Sequence, residues 1–268
     1  MRHSEPYHGQ LLSLAGENPW AEPILWFVSV TLGIIGCRVI YKAMQASSPI
    51  YSLAYLKLNK FEKVEWDNRG FSTAHAIVVS TIAAYLVFVS DFFQEDEAYG
   101  SVIFRSSIFS QVILGVSIGY FISDLAMILW FYPVLGGKEY VLHHFLSMSS
   151  LAMSVYSGQG HFYLYLVLFS EITTPFVNLR WYLSKAGMKS SSAYVLNGLL
   201  LFFGWLIARV LLFVYFFVHF YLHYDQVRQV FTIGFYYLFI SPPALALMNV
   251  VWFYKVTRGM LRTLSKRA

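Results

Sequence analysis

Seven times between residues 24 and 256 the chain runs through a window of about 20 mostly apolar residues, the length an α-helix needs to cross a bilayer at about 1.5 Å per residue. The windows fall at about 24–44, 71–93, 108–133, 139–158, 161–184, 195–221 and 232–256. In hydrocarbon every backbone N–H and C=O must be satisfied within the segment, which leaves helices as the only answer for single runs of this length. The expected fold is therefore all-α, a polytopic membrane protein of seven transmembrane helices. Composition agrees: charged residues are 12% of the 268, about half the soluble norm, and mean hydropathy is +0.55. Two connectors, "PVLGGKE" after the third span and "SGQG" after the fourth, are short enough to force antiparallel neighbours and one compact bundle. No internal repeat is visible. Pro242 and Pro243 predict a break or kink in the last span, where a gate or a packing kink would each fit.

Orientation follows from counting positive charge, because cytoplasmic loops keep Lys and Arg. Of the nineteen, thirteen fall on one side: Lys42, Lys57, Lys60, Lys63, Arg69, Lys138, Lys185, Lys189, Lys255, Arg258, Arg262, Lys266 and Arg267. Arg2, Arg105 and Arg228 fall on the other, and Arg38, Arg180 and Arg209 lie inside spans. The N-terminus is thus expected in the lumen or outside and the C-terminus in the cytosol. The net charge of +5 is scattered through connectors rather than gathered on one basic face, which argues against nucleic acid as a partner. The basic tail suits snorkelling and orientation, or contact with anionic lipid. No cleaved signal peptide is expected at the N-terminus. Cys37, the single cysteine, has no partner for an intrachain bridge or a zinc cluster.

Ionisable groups inside spans mark pathways or pockets more often than accidents. Here they are His75, Asp124, His143, His144, Glu171 and Arg209, with Asn178 and Arg180 nearer an edge. Counted from the cytosolic ends at about 1.5 Å per residue they form a polar column: His75 and the His pair roughly 6–9 Å deep, Asp124, Glu171 and Arg209 roughly 15–21 Å. Glu171, Thr174, Pro175 and Asn178 share one helical stripe, and His143, Ser147, Ser150 and Ser154 share another. By that pattern His143 faces the polar interior, while His144 lies beside it toward packed side chains. Arg209 is expected to neutralise Asp124 or Glu171. His219 and His223, at i and i+4 in "HFYLH", have a spacing that can hold a metal, but no acid or cysteine lies near them in sequence; they read as interfacial histidines in an aromatic belt, and no metal site is expected.

The ordered set "KVEWDNRGFSTAHA" (63–76), Asp124 in "YFISDLAMILW", the His pair in "EYVLHHFLSM" and "LVLFSEITTPFVNLRWYL" (164–183) resembles the TLC-domain family, nearest to its TLC domain-containing protein 4 type. The resemblance covers roughly residues 60 to 260. It implies three parts: 1–60 with a lumenal N-terminus, the first span and a cytosolic connector; a TLC-like domain over 61–260; and a basic cytosolic tail over 261–268. Spans two to seven would form a six-helix TLC-type barrel around a cytosol-facing cavity, with the first span peripheral. It also implies the endoplasmic reticulum or a related endomembrane, and a role in lipid synthesis, sensing or homeostasis.

Ceramide synthases share the superfamily, and their motif pairs two histidines with downstream aspartates. His143 and His144 match those histidines, but the His-Asp dipeptide has become Ser170-Glu171, the next acid falls near Thr174 and a later glutamate near Asn178. Most of the carboxylate array is gone, and acyl transfer depends on close placement of base and nucleophile. A retained pocket is therefore the leading reading: a protein that binds membrane lipids or acyl chains and contributes to lipid homeostasis, without a cofactor. The alternative is an acyl-CoA-dependent N-acyltransferase. In it His143 acts as nucleophile or base, His144 and Asp124 orient it, Glu171 assists proton transfer, and acyl-CoA is a substrate. His75, Ser147, Thr174, Asn178 and Arg209 would line the pocket under either reading. A lipid or small-molecule transporter is the second alternative. A seven-span receptor fits less well, having one cysteine and very short cytosolic connectors.

Overall fold

The computed structural model describes residues 20–95 and 100–265; Arg2, Lys266 and Arg267 of the charge count lie outside them. Seven long helices account for nearly all of it, and no strand occurs among the described residues. They are α1 (Ala21–Tyr51), α2 (Lys60–Val89), α3 (Ile108–Trp130), α4 (Lys138–Ser157), α5 (His161–Lys185), α6 (Ser192–Leu222) and α7 (Thr232–Ser265). Six of the seven are long and apolar enough to cross a membrane. The exception is α4, whose 20 residues suffice for a crossing but include two histidines and five serines.

Local chemistry sets the ends. Asn59 caps α2 through a capping box with Glu62, so the helix starts well before its apolar stretch. Ser107 and Ser110 form the reciprocal box at the start of α3. Gly158 and Gly160 both sit at positive φ, which lets "SGQG" turn α4 back into α5 within three residues. The last helix is interrupted at Phe239 and Ile240, just before Ser241-Pro242-Pro243, as the two prolines predict.

Helix contacts close a ring in the order α2, α3, α4, α7, α6, α5 and back to α2. α1 stays outside, against α2 and above all α3. Its inner stripe is Ser29, Gly33 and Cys37, all buried, and it meets Gly115 and Gly119 of α3. A Cβ on Gly119 would stand 2.2 Å from the Val30 carbonyl oxygen, and one on Gly33 would stand 2.3 Å from that of Val116. Small residues four apart on both helices thus let the backbones touch, a frequent way to join helices where lipid is the solvent. The outward side carries Phe27, Ile35 and Val39, each more than half exposed.

One end of the ring is sealed. Arg105, in the connector before α3, is buried and donates to the carbonyls of Phe92 (3.1 Å), Gln94 and Gly100 (2.6 Å each), while Gly160 N–H donates to the Ile103 carbonyl at 2.7 Å. Phe92, Phe93, Ile103 and Phe162 pack beneath. The other end, where most of the Lys and Arg gather, opens into the cavity described next.

Candidate functional site

Between the ring helices lies a chamber of about 500 Å³, reached from the basic end and walled there by Glu65, Arg69, Arg180 and Lys255. An apolar cavity of about 90 Å³ adjoins it toward the sealed end, lined by Leu151, Val167, Phe213, Phe216 and Leu245 among others. Three residues belong to both: Phe121, His143 and Glu171. The serine stripe of α4, Ser147, Ser150 and Ser154, faces the apolar cavity.

Two buried charge centres line the chamber. In the first, Asp124 of α3 takes Nε2 of His144 at 2.7 Å, the amide of Asn68 at 2.7 Å and, at 3.4 Å, the Tyr120 hydroxyl. Nδ1 of His144 lies 2.8 Å from the Tyr140 carbonyl, which can only accept, so that nitrogen carries a proton. A second proton must then sit in the 2.7 Å contact with Asp124. The pair holds one proton more than a neutral imidazole beside a carboxylate.

In the second centre, Arg209 of α6 binds Glu171 of α5 through Nη2 at 3.2 Å, Thr173 through Nε at 2.7 Å and Asn249 of α7 through Nη1 at 3.3 Å. Its guanidinium lies 4.6 Å from the Trp205 ring centre, and Thr174 donates to the other oxygen of Glu171 at 2.6 Å. Both backbones depart from α geometry here: α5 tightens to a 3₁₀ turn over Ser170–Thr173 and α6 widens to a π turn over Leu206–Leu211. Such turns are frequent at functional sites, because they re-aim side chains without ending the helix.

At the mouth, Arg69 joins Glu65 (2.7 Å) and Asn178 (2.8 Å) and lies 4.8 Å from the Trp181 ring centre. Asn178 in turn donates to Thr73 at 2.9 Å.

Most of the residues expected at the site converge. His143, His144, Asp124, Glu171, Thr174, Asn178 and Arg209 line the chamber, and Ser147 lines the apolar cavity. His75 does not line either cavity. Its ring stacks on Tyr120 at 3.8 Å, so Tyr120 and Ser72 present the wall in its place. Ser117 gives its hydroxyl proton to Ile113, so Nε2 of His75 donates to Ser117 at 3.2 Å and Nδ1 is left without a partner. The helical stripe separates the two neighbouring histidines in the wrong sense for chemistry: His144, expected against packed side chains, is the one bonded to an acid. His143 faces the chamber as expected, but neither of its ring nitrogens has a hydrogen-bond partner among the described residues, and its ring meets only those of Trp252 and His144. Of the two acids offered to Arg209, it takes Glu171.

Asn68, Tyr120, Trp205 and Asn249 were missed in sequence, although each completes a charge centre. Asn68 lies in the quoted "KVEWDNRG" segment, one turn before the apolar window, and Asn249 breaks an apolar run in α7. Both carried a polar signal that a search for ionisable groups passes over.

Comparison with known proteins finds relatives over most of the chain. A family model for the TLC domain covers residues 65–258. TLC domain-containing protein 4-B of Xenopus laevis is 27% identical over 91% of this chain and 93% of its own length. The human TLC domain-containing protein 4 is 28% identical over 76% and 77%, and TLC domain-containing protein 4 A of Dictyostelium discoideum 24% over 78% and 80%. No solved structure gives a significant match. The matched span holds the whole lining of the chamber and all but the outermost turns of the ring, and the chain belongs to the TLC-domain family.

Proposed function

We propose that the protein binds a lipid whose polar group occupies the chamber and whose acyl chain enters the apolar cavity, and that through this binding it contributes to lipid homeostasis in an endomembrane such as the endoplasmic reticulum. The observation that carries the reading is the junction at Phe121, His143 and Glu171, three residues that line both the polar chamber and the apolar cavity beside it. A site of that shape fits an amphiphile: few convergent polar groups, apolar walls and a volume in the range of small-molecule sites. The mouth lies among Arg69, Arg180 and Lys255, on the side that charge counting puts in the cytosol, so the ligand would come from the cytosolic leaflet. The far end is closed by the Arg105 network, which supports a dead-end pocket over a transport path. Native mass spectrometry of the gently solubilised protein tests this. A bound lipid is expected in the wild type and depleted in His143→Trp, which fills the junction; a bare wild-type protein sinks the reading.

A second reading, the acyl-CoA-dependent N-acyltransferase, draws on the free imidazole of His143 beside the proton-holding His144–Asp124 pair. An unpartnered imidazole in a chamber is available as a base. Against it, both oxygens of Glu171 are engaged by Arg209 and Thr174 and are poorly placed to move a proton. Incubation with acyl-CoA and a panel of sphingoid bases and lysolipids separates the two. Turnover lost in His143→Ala supports the enzyme; bound lipid without turnover supports the binder.

A further inference from the structure

His219 and His223 lie one turn apart at the end of α6, and their spacing alone says little. The fold adds a third group from far away in sequence: Glu95, in the connector after α2, meets both rings. We propose that Glu95, His219 and His223 form a binding site for one divalent cation of the zinc class, with a fourth position left to water.

The donor atoms are Oε1 of Glu95 and the two Nε2 nitrogens. Glu95 Oε1 stands 2.8 Å from His223 and 3.5 Å from His219, and all three donors lie within 4.8 Å of one another. Zinc bonds of about 2.0–2.2 Å in a tetrahedron give donor-to-donor edges of about 3.4 Å. The two edges to Glu95 bracket that value, and the third closes by a tilt of the imidazoles, whose centres are stacked 4.0 Å apart. Two imidazoles and one carboxylate suit zinc-class ions, whereas calcium and magnesium want oxygen alone.

The surroundings fix which nitrogen of each ring faces inward. Nδ1 of His223 lies 2.9 Å from the His219 carbonyl, which can only accept, so Nδ1 carries the proton and Nε2 is turned to the site. Nδ1 of His219 lies 3.1 Å from the Tyr163 hydroxyl, itself held in the buried aromatic layer. Metal-bound histidines are commonly oriented through their second nitrogen in this way. His219 is buried while Glu95 is 64% exposed, so the cation has both an anchored wall and a path in from outside. A bound ion would clamp the connector after α2 to α6 over the sealed end.

The test uses the full-length, tag-free protein in detergent, stripped with chelator, loaded with excess Zn²⁺ and desalted. We expect one zinc retained per chain and a raised thermal midpoint. Glu95→Gln, a change at an exposed position that spares folding, loses retention at least tenfold, as does His223→Ala. Tyr163→Phe, a positioning change, weakens binding by about tenfold. His143→Ala keeps its zinc. If the wild type retains no more zinc than Glu95→Gln, the three groups are an ion pair with a neighbour and the proposal fails; it fails equally if retention follows His143.

Discussion

Arg209 is 5% exposed, and Glu171, Thr173, Thr174 and Asn249 take its protons while Trp205 covers its face. Removing one partner of such a pair leaves the other charge buried alone, whereas removing both can cost little. Arg209→Met is therefore expected to destabilise the protein by about 3–5 kcal/mol, read as loss of the folded fraction in a denaturant titration. The double variant Arg209→Met/Glu171→Leu should recover more than half of that loss. A double variant no better than the single one would mean that the ion pair is not what the site depends on. The same reasoning ranks the neighbouring histidines. His144→Ala strands Asp124 with a hydrogen bond from Asn68 and a long one from Tyr120, and should cost about 1–3 kcal/mol. His143→Ala breaks no hydrogen bond and should cost clearly less in the same titration. Equal costs would contradict the assignment of the acid to His144.

At the scale of the helix, hydropathy located the crossings but not the ends. The second window opens at 71, yet α2 begins at Lys60, because Glu62, Glu65 and Arg69 are good helix formers even though they are poor in hydrocarbon. Hydropathy reports the solvent, while capping by Asn59 reports the backbone. The break before Pro242 was legible, since proline removes a donor and crowds the preceding turn. The 3₁₀ turn at 170–173 has a local mark that hydropathy passes over, because Pro175 has no N–H to give the Glu171 carbonyl; the π turn at 206–211 was not legible, and both turns lie where Glu171 and Arg209 meet. His75 misleads for another reason: depth along a span says how far a residue lies from an end, not which neighbour stacks over it. The contact between α1 and α3 gives a test at this scale. Gly119→Val would drive a branched side chain into the Val30 carbonyl and force the helices apart. Cys37, 8% exposed on the same stripe, is the single thiol of the chain. Maleimide labelling of the folded protein should be slow in the wild type and at least several-fold faster in Gly119→Val. Unchanged labelling would show that α1 is not held by that close approach.

For the whole molecule, the ring order α2, α3, α4, α7, α6, α5 could not be read from seven windows, since short connectors name the neighbours of α3, α4 and α5 but leave the closure through α4 and α7 open. That closure matters, because α4 carries His143, His144 and the serine stripe and is the least apolar of the seven helices. Its length and course argue that it crosses: its first turns, with Tyr140 and His143, line the chamber near the mouth, and Ser154 near its end donates to the Gln159 carbonyl, next to the Gly160–Ile103 bond at the sealed end. Polar side chains turned into a cavity do not meet lipid, so a low hydropathy is no bar to crossing. Seven crossings put the two ends of the chain on opposite sides; six put them on the same side. The expected outcome, with epitope tags at each end of the protein in sealed microsomes, is a C-terminal tag cut by added protease and an N-terminal tag protected until detergent is added. Both tags cut, or both protected, would mean that α4 does not cross. The basic segments after α5 and α7 would then lie on the opposite side from the basic connectors after α1 and α3.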